Sequence, residues 1–249
     1  LIDHISSALK LYREIKHSKF IQNINAKLMK EYECPFDYLV RYAIIFHDVG
    51  KVFYQDNSTK DGCLNFKGHE FFSTFIFNEF TVRMLNGYIM ETANAKVDKI
   101  LNILNLAYPI TFSILYHHHA MGYELRLKGL SHIRIAEKTR LAVKELPNTL
   151  RGILNDYEIH ALANTLEYTL NTIVPNINEL AEEINSIGVR IWRKLEAEPK
   201  LKKLSLALLM TITMLDYLSA YSNRRGPKLT FFKTLEQYYN ILRRETDTP

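Results

Sequence analysis

The spacing of the apolar residues is the feature that most limits how this chain can fold. Apolar side chains recur at intervals near three and four along most of the 249 residues, starting with HISSALKLYREIKHSKFIQNINAKLMKEY. This spacing is typical of amphipathic α-helices. Nine glycines and seven prolines are few for a turn-rich β protein, and no convincing strand-like alternation is present. The sequence therefore predicts an all-α fold.

The same pattern predicts one globular domain over residues 1–249. A chain of this length buries roughly 70–75% of the surface that its unfolded form exposes, which is enough for a sizeable core. The linker-like stretches LPNTLRG, AEPKLK and NRRGPK are short and give no reason to divide the chain. We expect residues 223–249 to form a C-terminal helical extension.

Local signals place several helix boundaries. The stretch FDYLVRYAIIFHDVGK follows Pro35 and predicts a helix that is stopped by Gly50. Ser131 is the expected N-cap of a helix that contains HIRIAEKTRLAVKEL. Further helices are expected over residues 97–119, 155–173, 177–197 and 200–222.

Charge and cysteine content narrow the class of protein. The formal net charge of +5 and the sequence pI of about 9.0 permit an anionic partner such as nucleic acid without requiring one. Cys34 and Cys63 do not form a CxxC pair, so neither a zinc knuckle nor a redox motif is indicated. Their low number suits a reducing compartment, and we expect a cytoplasmic protein.

A membrane location is not expected. No positively charged start leads into an apolar signal core. No uncharged apolar stretch reaches the ~18 residues that a membrane span requires. The longest apolar stretch, LSLALLMTITMLDYLSAY, contains Asp216.

Two aspartates stand where a hydrophobic core should form. His47 and Asp48 end the apolar run in IIFHDVGKVF, and Asp216 lies inside LLMTITMLDYLSAY. An ionised carboxylate in such surroundings costs free energy unless it is paired or bound to metal. For Asp216, a buried ion pair or a cap to another helix is the alternative to a metal.

Histidines follow a related pattern. Residues 117–119 are three consecutive histidines directly after the apolar run ITFSILY, and His69 follows Gly68 where a helix is expected to begin. Imidazole and carboxylate together suit first-row transition metals. The triplet could also be a solvated turn, but its position after a buried helix favours a metal site.

His47 and Asp48 constrain the kind of metal site. Adjacent residues on a helix point about 100° apart, so these two do not easily chelate one ion as a local pair. An aspartate has two oxygens and can bridge two ions, with His47 on one of them. Neighbouring residues that serve neighbouring ions suit a centre whose ions lie ~3.5–4 Å apart.

The ordered set of these residues resembles the HD metal-dependent phosphohydrolase superfamily. The HDVGK form and the later double histidine look most like the CRISPR-associated HD nuclease, the nuclease part of the type I interference nuclease-helicase, here as a separate polypeptide. The motif extends from residue 4 to about residue 222. Its members in chain order are His4, His47, Asp48, His69, His117, His118 and Asp216.

The resemblance implies two divalent metal ions, with manganese, magnesium, nickel, cobalt and iron all left open. The first ion would be bound by His4, His47, Asp48 and Asp216. The second would be bound by Asp48, His69, His117 and His118, with Asp48 bridging. Asp48 and Lys51 are the expected catalytic residues, and Lys51 would meet a phosphate oxygen or the attacking water. Lys51 could instead be a solvated lysine at a helix C-terminus.

Two departures from the family pattern leave alternatives open. His119 replaces His117 or His118 as a ligand if the triplet is shifted by one residue. Ala220 stands where the family often has a serine, and we assign no role to Ser219 or Ser222. Five neutral histidine ligands with ordinary pKa values near ~6.5 would lose metal in mild acid.

The activity implied by the resemblance is hydrolysis of phosphodiester bonds in single-stranded DNA, with RNA as an alternative, during CRISPR interference against foreign nucleic acid. No GxxxxGK[ST] motif is present, so the chain has no helicase motor. The implied partners are a separate helicase subunit and an RNA-guided surveillance complex. Arg126, Lys128, Arg224 and Arg225 are the candidate nucleic-acid-binding residues, although each cluster could be a solvated surface.

Two other functions compete with the nuclease. An HD phosphohydrolase acting on nucleotides or cyclic nucleotides would share the metals and have a closed pocket of small-molecule size. An open basic groove would favour the nuclease. A non-catalytic helical scaffold is the third alternative, which the near-complete ligand set disfavours.

Overall fold

The computed structural model confirms the all-α prediction. It describes residues 1–58, 64–91, 97–118, 122–130, 133–221 and 230–246, without the side chains of residues 91 and 123. Within these ranges there is no β-strand, and one antiparallel bridge joins Ser58 to Leu64. The helices are α1 (Ile2–Ile15), α2 (Lys19–Tyr32), α3 (Phe36–Phe46), α4 (His69–Glu91), α5 (Val97–Tyr116), α6 (Tyr123–Leu127), α7 (Glu137–Thr149), α8 (Asp156–Tyr168), α9 (Ile177–Ala197), α10 (Pro199–Tyr221) and α11 (Thr230–Thr246).

The core forms around α3, α5 and α10. Helix α10 packs against α5 and α1, and α3 packs against both α5 and α10. Eight of the eleven residues of α3 are buried, which matches its almost uninterrupted apolar sequence. Each fully buried large apolar side chain contributes roughly 1.5–3 kcal/mol. The C-terminal end of α3 is therefore held firmly inside the protein.

Two predicted helix boundaries are wrong. Helix α3 ends at Phe46, with His47 as its C-cap, and a 3₁₀ helix (Val49–Tyr54) follows, so Gly50 lies beyond the stop. Helix α7 begins at Glu137, and residues 133–136 are not helical. The N–H groups at its start donate to a residue that is distant in the sequence. The side chain of Asp56 accepts the N–H of Ala136 and that of Thr139, both at 2.9 Å. Ser131 lies outside the described residues.

The remaining boundaries agree more closely with the sequence. Helix α9 has the predicted bounds. Helix α10 begins and ends within one residue of the bounds predicted for it. Helix α5 ends at Tyr116, and α8 is followed by a π-helical turn (Thr169–Ile173) that completes the predicted segment. The first helical pattern is divided at Ser18, whose hydroxyl accepts the N–H of Ile21 and caps α2.

Helix α10 also bears on the membrane question. It is the one helix among the described residues that is long and apolar enough, by length and composition, to cross a membrane. Of its most apolar window, 56% is buried inside the protein. Core helices of soluble proteins pass the same test, so the helix is weak evidence for a membrane location.

Candidate metal centre

The centre forms where the C-terminal end of α3 meets the N-terminal end of α4. His47 and Asp48 are both 1% exposed, because α3 delivers them into the core. Gly50 then allows the 3₁₀ helix to touch α4: a Cβ atom at this position would lie 2.1 Å from the backbone oxygen of His69. The N–H of Gly50 donates to Ser73 at 2.8 Å. The glycine of the HDVGK stretch therefore brings Asp48 against His69.

Four of the predicted ligands form one group, which we call the carboxylate cluster (His4, His47, Asp48 and Asp216). One potential ligand atom from each residue lies within 4.8 Å of all the others. Nε2 of His4 lies 2.9 Å from Oδ1 of Asp216 and 3.4 Å from Oδ2 of Asp48. Nε2 of His47 lies 3.5 Å from each of the same two oxygens.

Three histidines form a second group, the histidine cluster (His69, His117 and His118). Their ligand atoms also lie within 4.8 Å of one another. The ring centroids of His117 and His118 are 4.0 Å apart, and that of His69 lies 5.6 Å and 5.2 Å from them. The structure therefore brings together all seven predicted ligands, in the two predicted groups. His119, the alternative ligand, lies outside the described residues.

Asp48 connects the two clusters. Its Oδ1 lies 2.9 Å from Nε2 of His69, while its Oδ2 faces His4 and His47. Although Oδ1 and Nε2 of His69 are close, their angles do not make a hydrogen bond, and each atom is buried without such a partner among the described residues. One carboxylate thus presents one oxygen to each cluster, as a bridging ligand requires.

The histidine rings are held with Nε2 as the free acceptor. Because a backbone carbonyl only accepts, each Nδ1 that contacts one must carry the proton. The Nδ1 atoms of His47, His69 and His117 donate to the carbonyls of the residues three positions earlier, at 2.8, 2.7 and 2.7 Å. Metal-binding histidines are commonly oriented in this way. In all three, Nε2 is buried with no hydrogen-bond partner within the described part of the chain.

Ser219 orients the His4 ring, and this role was not predicted from the sequence. The Ser219 hydroxyl donates to the backbone oxygen of Asp216 at 2.9 Å and lies 3.1 Å from Nδ1 of His4. Ser219 therefore contacts one ring nitrogen of His4 while the other, Nε2, lies against Asp216 and Asp48. The serine one position before the family's usual place was the only sequence signal.

These residues fit a metal ion. Ligand atoms that share one ion at bond lengths near 2.1 Å lie roughly 3.0–3.5 Å from each other. The nitrogen–oxygen separations of 2.9–3.5 Å in the carboxylate cluster match that spacing. Buried nitrogens and a buried carboxylate oxygen without hydrogen bonds would otherwise be costly. The cluster of histidines and aspartates can therefore hold a metal ion.

No protein-family model matches this sequence, and comparisons with curated proteins and with solved structures return no match either. The resemblance to HD nucleases therefore remains a prediction that comes from the residues themselves. The chemistry of the seven clustered side chains carries the functional conclusion.

The two aspartates are held as carboxylates. Burial raises the pKa of Asp48, but the nearby His47 and Lys51 lower it well below its usual value overall. Burial also raises the pKa of Asp216, but its close contacts with the His4 and His47 rings lower it well below its usual value overall. Both groups are therefore ready to bind a cation.

The histidines of the two clusters differ. Although burial lowers the pKa of His47, the carboxylates of Asp48 and Asp216 raise it overall. Burial and the neighbouring histidines lower the pKa of His117 well below its usual value. Burial and His69 lower the pKa of His118 to about 4. The ordinary pKa values assumed for all five histidines are thus wrong for His47, His117 and His118. The last two resist protonation in mild acid.

Lys51 lies beside the centre, as expected for a catalytic group. Its Nζ donates to Oδ2 of Asp48 at 2.5 Å and lies 5.6 Å from the centre of the Phe66 ring. The side chain is 26% exposed, whereas Asp48 is buried. Lys51 therefore extends from the buried carboxylate toward the protein surface.

The nucleic-acid-binding prediction for Arg126 is wrong. Arg126 is 2% exposed, and its guanidinium donates to Glu70 and to the carbonyl of Leu115, both at 3.1 Å. This buried pair ties α6 to the residue after His69 and to the end of α5 before His117. Arg126 supports the histidine cluster instead of meeting a substrate. Lys128 is exposed, and Arg224 and Arg225 lie outside the described residues.

Proposed function

We propose that this protein is a metal-dependent nuclease that hydrolyses phosphodiester bonds of single-stranded DNA, with RNA as the alternative substrate. The observation that carries the proposal is the sharing of Asp48 between two clusters of metal-ligand type. Two ions joined by one carboxylate are typical of centres that cleave phosphate esters. The resemblance of the ordered motif to CRISPR-associated HD nucleases supports nucleic acid as the substrate.

The protein's own groups have distinct roles in this reaction. Asp48 would hold both ions, with the other residues of the carboxylate cluster on one and those of the histidine cluster on the other. When bound, the ions supply Lewis acidity and lower the pKa of a coordinated water. Lys51 would donate from Nζ to a non-bridging phosphate oxygen, which stabilises charge that develops there.

The donor set bears on which metal is used. Five of the seven ligands are imidazoles, which suit manganese, iron, cobalt and nickel better than magnesium, an ion that prefers oxygen. We propose a first-row transition metal at both positions. We further propose that the protein works in the cytoplasm with a separate helicase subunit and an RNA-guided surveillance complex, which would deliver single strands during interference.

The decisive experiment compares cleavage of single-stranded and double-stranded DNA by chelator-stripped protein with one metal added at a time. Asp48→Ala is the test variant. Asp156→Ala is its matched control, because the Asp156 side chain is exposed on α8. We expect metal-dependent cutting of single strands, and a loss of at least about a thousandfold in Asp48→Ala, since several kcal/mol of charge stabilisation disappear.

Two results would overturn the proposal. Cutting that survives Asp48→Ala would show that the centre is not catalytic. No cutting of DNA with any metal would also overturn the proposal. A panel of nucleotides and cyclic nucleotides would then test the phosphohydrolase alternative with the same stripped protein.

A further inference from the structure

A polar groove lies next to the metal centre. It encloses about 530 Å³ between the end of the 3₁₀ helix, the segment before α4 and the segment after α6. Three cationic side chains, Lys67, Lys128 and Arg134, are among the residues that line it. A single strand of nucleic acid carries a negative charge on every phosphate, so such a lining attracts it.

The walls of the groove are joined by specific backbone contacts. Gly129 packs so closely on the opposite wall that a Cβ atom there would lie 2.1 Å from the backbone oxygen of Lys67. The N–H of Arg134 donates to the Asn57 side chain at 2.8 Å. These contacts fix the distance between the two walls. The cationic side chains are therefore positioned at the groove by the fold.

Asp56 is the acidic residue of this lining, and its carboxylate is already hydrogen-bonded to backbone N–H groups. Its Oδ2 accepts the N–H groups of Ala136 and Thr139 at the start of α7. A carboxylate at a helix N-terminus is stabilised there by the unsatisfied N–H groups and the helix dipole. The net character of the groove is therefore cationic.

A buried hydroxyl adds a donor. Tyr54 lines the groove, is 1% exposed, and its hydroxyl has no hydrogen-bond partner among the described residues. Burial, followed by the nearby Glu70, raises the pKa of Tyr54 well above its usual value, so the hydroxyl keeps its proton. A buried O–H without a partner is costly, and a phosphate oxygen would satisfy it.

One wall of the groove is joined to a candidate metal ligand through the chain. Lys67 is two residues before His69, and Gly68, with φ +89°, turns the chain between them. A Cβ at Gly68 would lie 2.8 Å from the backbone oxygen of Arg126 and 3.2 Å from the Tyr54 hydroxyl. Phe66, just before Lys67, packs under Lys51, whose Nζ contacts Asp48.

We propose that this groove binds the phosphate backbone of a single strand on one side of the bond that is cleaved. The proposal rests on the proposed nuclease function, and it assigns binding of the phosphates to Lys67, Lys128, Arg134 and Tyr54. Interactions with the backbone hold a strand without reading its sequence.

The test measures binding separately from cleavage. Fluorescence anisotropy with a labelled oligothymidylate, in chelator and over a range of salt concentrations, compares wild type with Lys128→Glu/Arg134→Glu. The matched control is Lys202→Glu/Lys203→Glu, which makes the same charge change at exposed positions of α10. Tyr54→Phe is a milder variant that removes the unpaired hydroxyl alone. Hydrolysis of bis(p-nitrophenyl) phosphate, a diester with no flanking phosphates, reports on the metal centre.

We expect the groove variant to bind the oligonucleotide at least about tenfold more weakly. The salt slope should be less steep by about 0.7 for each phosphate that the variant no longer neutralises. The control should match wild type, and hydrolysis of the small diester should be unchanged in both. Tyr54→Phe should weaken binding to a smaller extent at an unchanged salt slope.

Unchanged oligonucleotide affinity and salt slope in the groove variant would overturn the proposal. Equal weakening in the control would also overturn it, because the effect would then come from net charge. Inorganic phosphate, a mononucleotide and unlabelled oligonucleotide can each be tested as competitors of the labelled strand. If either small competitor displaced it as strongly as the oligonucleotide does, a strand-binding groove would be ruled out. If wild type hydrolyses neither substrate, the proposed nuclease function fails, while the affinity comparison still decides the groove.

Discussion

The carboxylate cluster and the histidine cluster use similar ligands in opposite electrostatic settings. In the carboxylate cluster, two buried aspartates face two histidines and raise the pKa of His47. In the histidine cluster, burial and then the crowding of three imidazoles lower the pKa values of His117 and His118. Without a metal, protonation is favoured at His47 in the first cluster and disfavoured at His117 and His118 in the second.

This difference indicates how each cluster depends on Asp48. The carboxylate cluster retains the charge of Asp216 if Asp48 is removed, whereas the histidine cluster has no carboxylate of its own. A divalent ion bound by neutral imidazoles alone gains less from charge than one bound by carboxylates. The histidine cluster should therefore be the weaker site, and the more sensitive to the bridge.

The largest effect is expected when the bridge is removed. Asp48→Ala should abolish metal binding at the histidine cluster and weaken it at the carboxylate cluster. Asp216→Ala should empty the carboxylate cluster alone, and His118→Ala should empty the histidine cluster alone. Metal stoichiometry measured after dialysis checks this order. Equal loss from both clusters in all three variants would contradict the asymmetry.

A smaller but substantial effect is expected from the buried pair behind the histidine cluster. Arg126→Met leaves Glu70 buried without its partner, and breaking such a pair costs about 3–5 kcal/mol. Urea unfolding measures the decrease in stability. Glu70→Gln/Arg126→Met removes both charges and should recover much of the stability, so a double variant as unstable as the single one would contradict this explanation.

The sequence predicted much more of the centre than of its supports. The seven residues of the two clusters could be recognised from their types and from an order along the chain that resembles the HD motif. Arg126 was misplaced because its partner, Glu70, lies 56 residues away and nothing local marks the pairing. The start of α7 was misplaced for the same reason, since Asp56 provides its cap from the other side of the groove. Ser219 was left without a role because the orientation of a histidine ring is set by contacts in three dimensions.

In the metal-free protein, lowering the pH should change the stability contributions of the two clusters in opposite directions. The pKa of His118 in the folded state, about 4, lies below the value of about 6.5 expected when it is unfolded. His118 therefore contributes stability that is present above about pH 6.5 and is lost as the pH falls toward 4. The slope from one such group is at most about 1.4 kcal/mol per pH unit. His47, whose pKa is raised, acts with the opposite sign: its contribution is present in acid and is lost as the pH rises through its folded pKa.

Urea unfolding of metal-free wild type and His118→Gln between pH 4 and 7 tests this sign. The stability of the variant should fall less steeply with acid than that of wild type. If the stabilities of wild type and variant changed with pH in parallel, the lowered pKa of His118 would be contradicted, whatever the absolute stability of the variant.

The smallest effect is expected at Ser219, and it should be confined to the carboxylate cluster. Ser219→Ala removes the hydroxyl that contacts Nδ1 of His4, so Nε2 is no longer fixed toward the aspartates. Loss of such an orienting partner typically lowers metal affinity by about 10–100-fold. Ser205→Ala is the matched control, because Ser205 is also buried on α10 and donates to the backbone of Leu201. Metal titration should show weaker binding at one of two sites in Ser219→Ala and at neither in the control. Weakening at both sites in Ser219→Ala would mean that the clusters are coupled through more than Asp48.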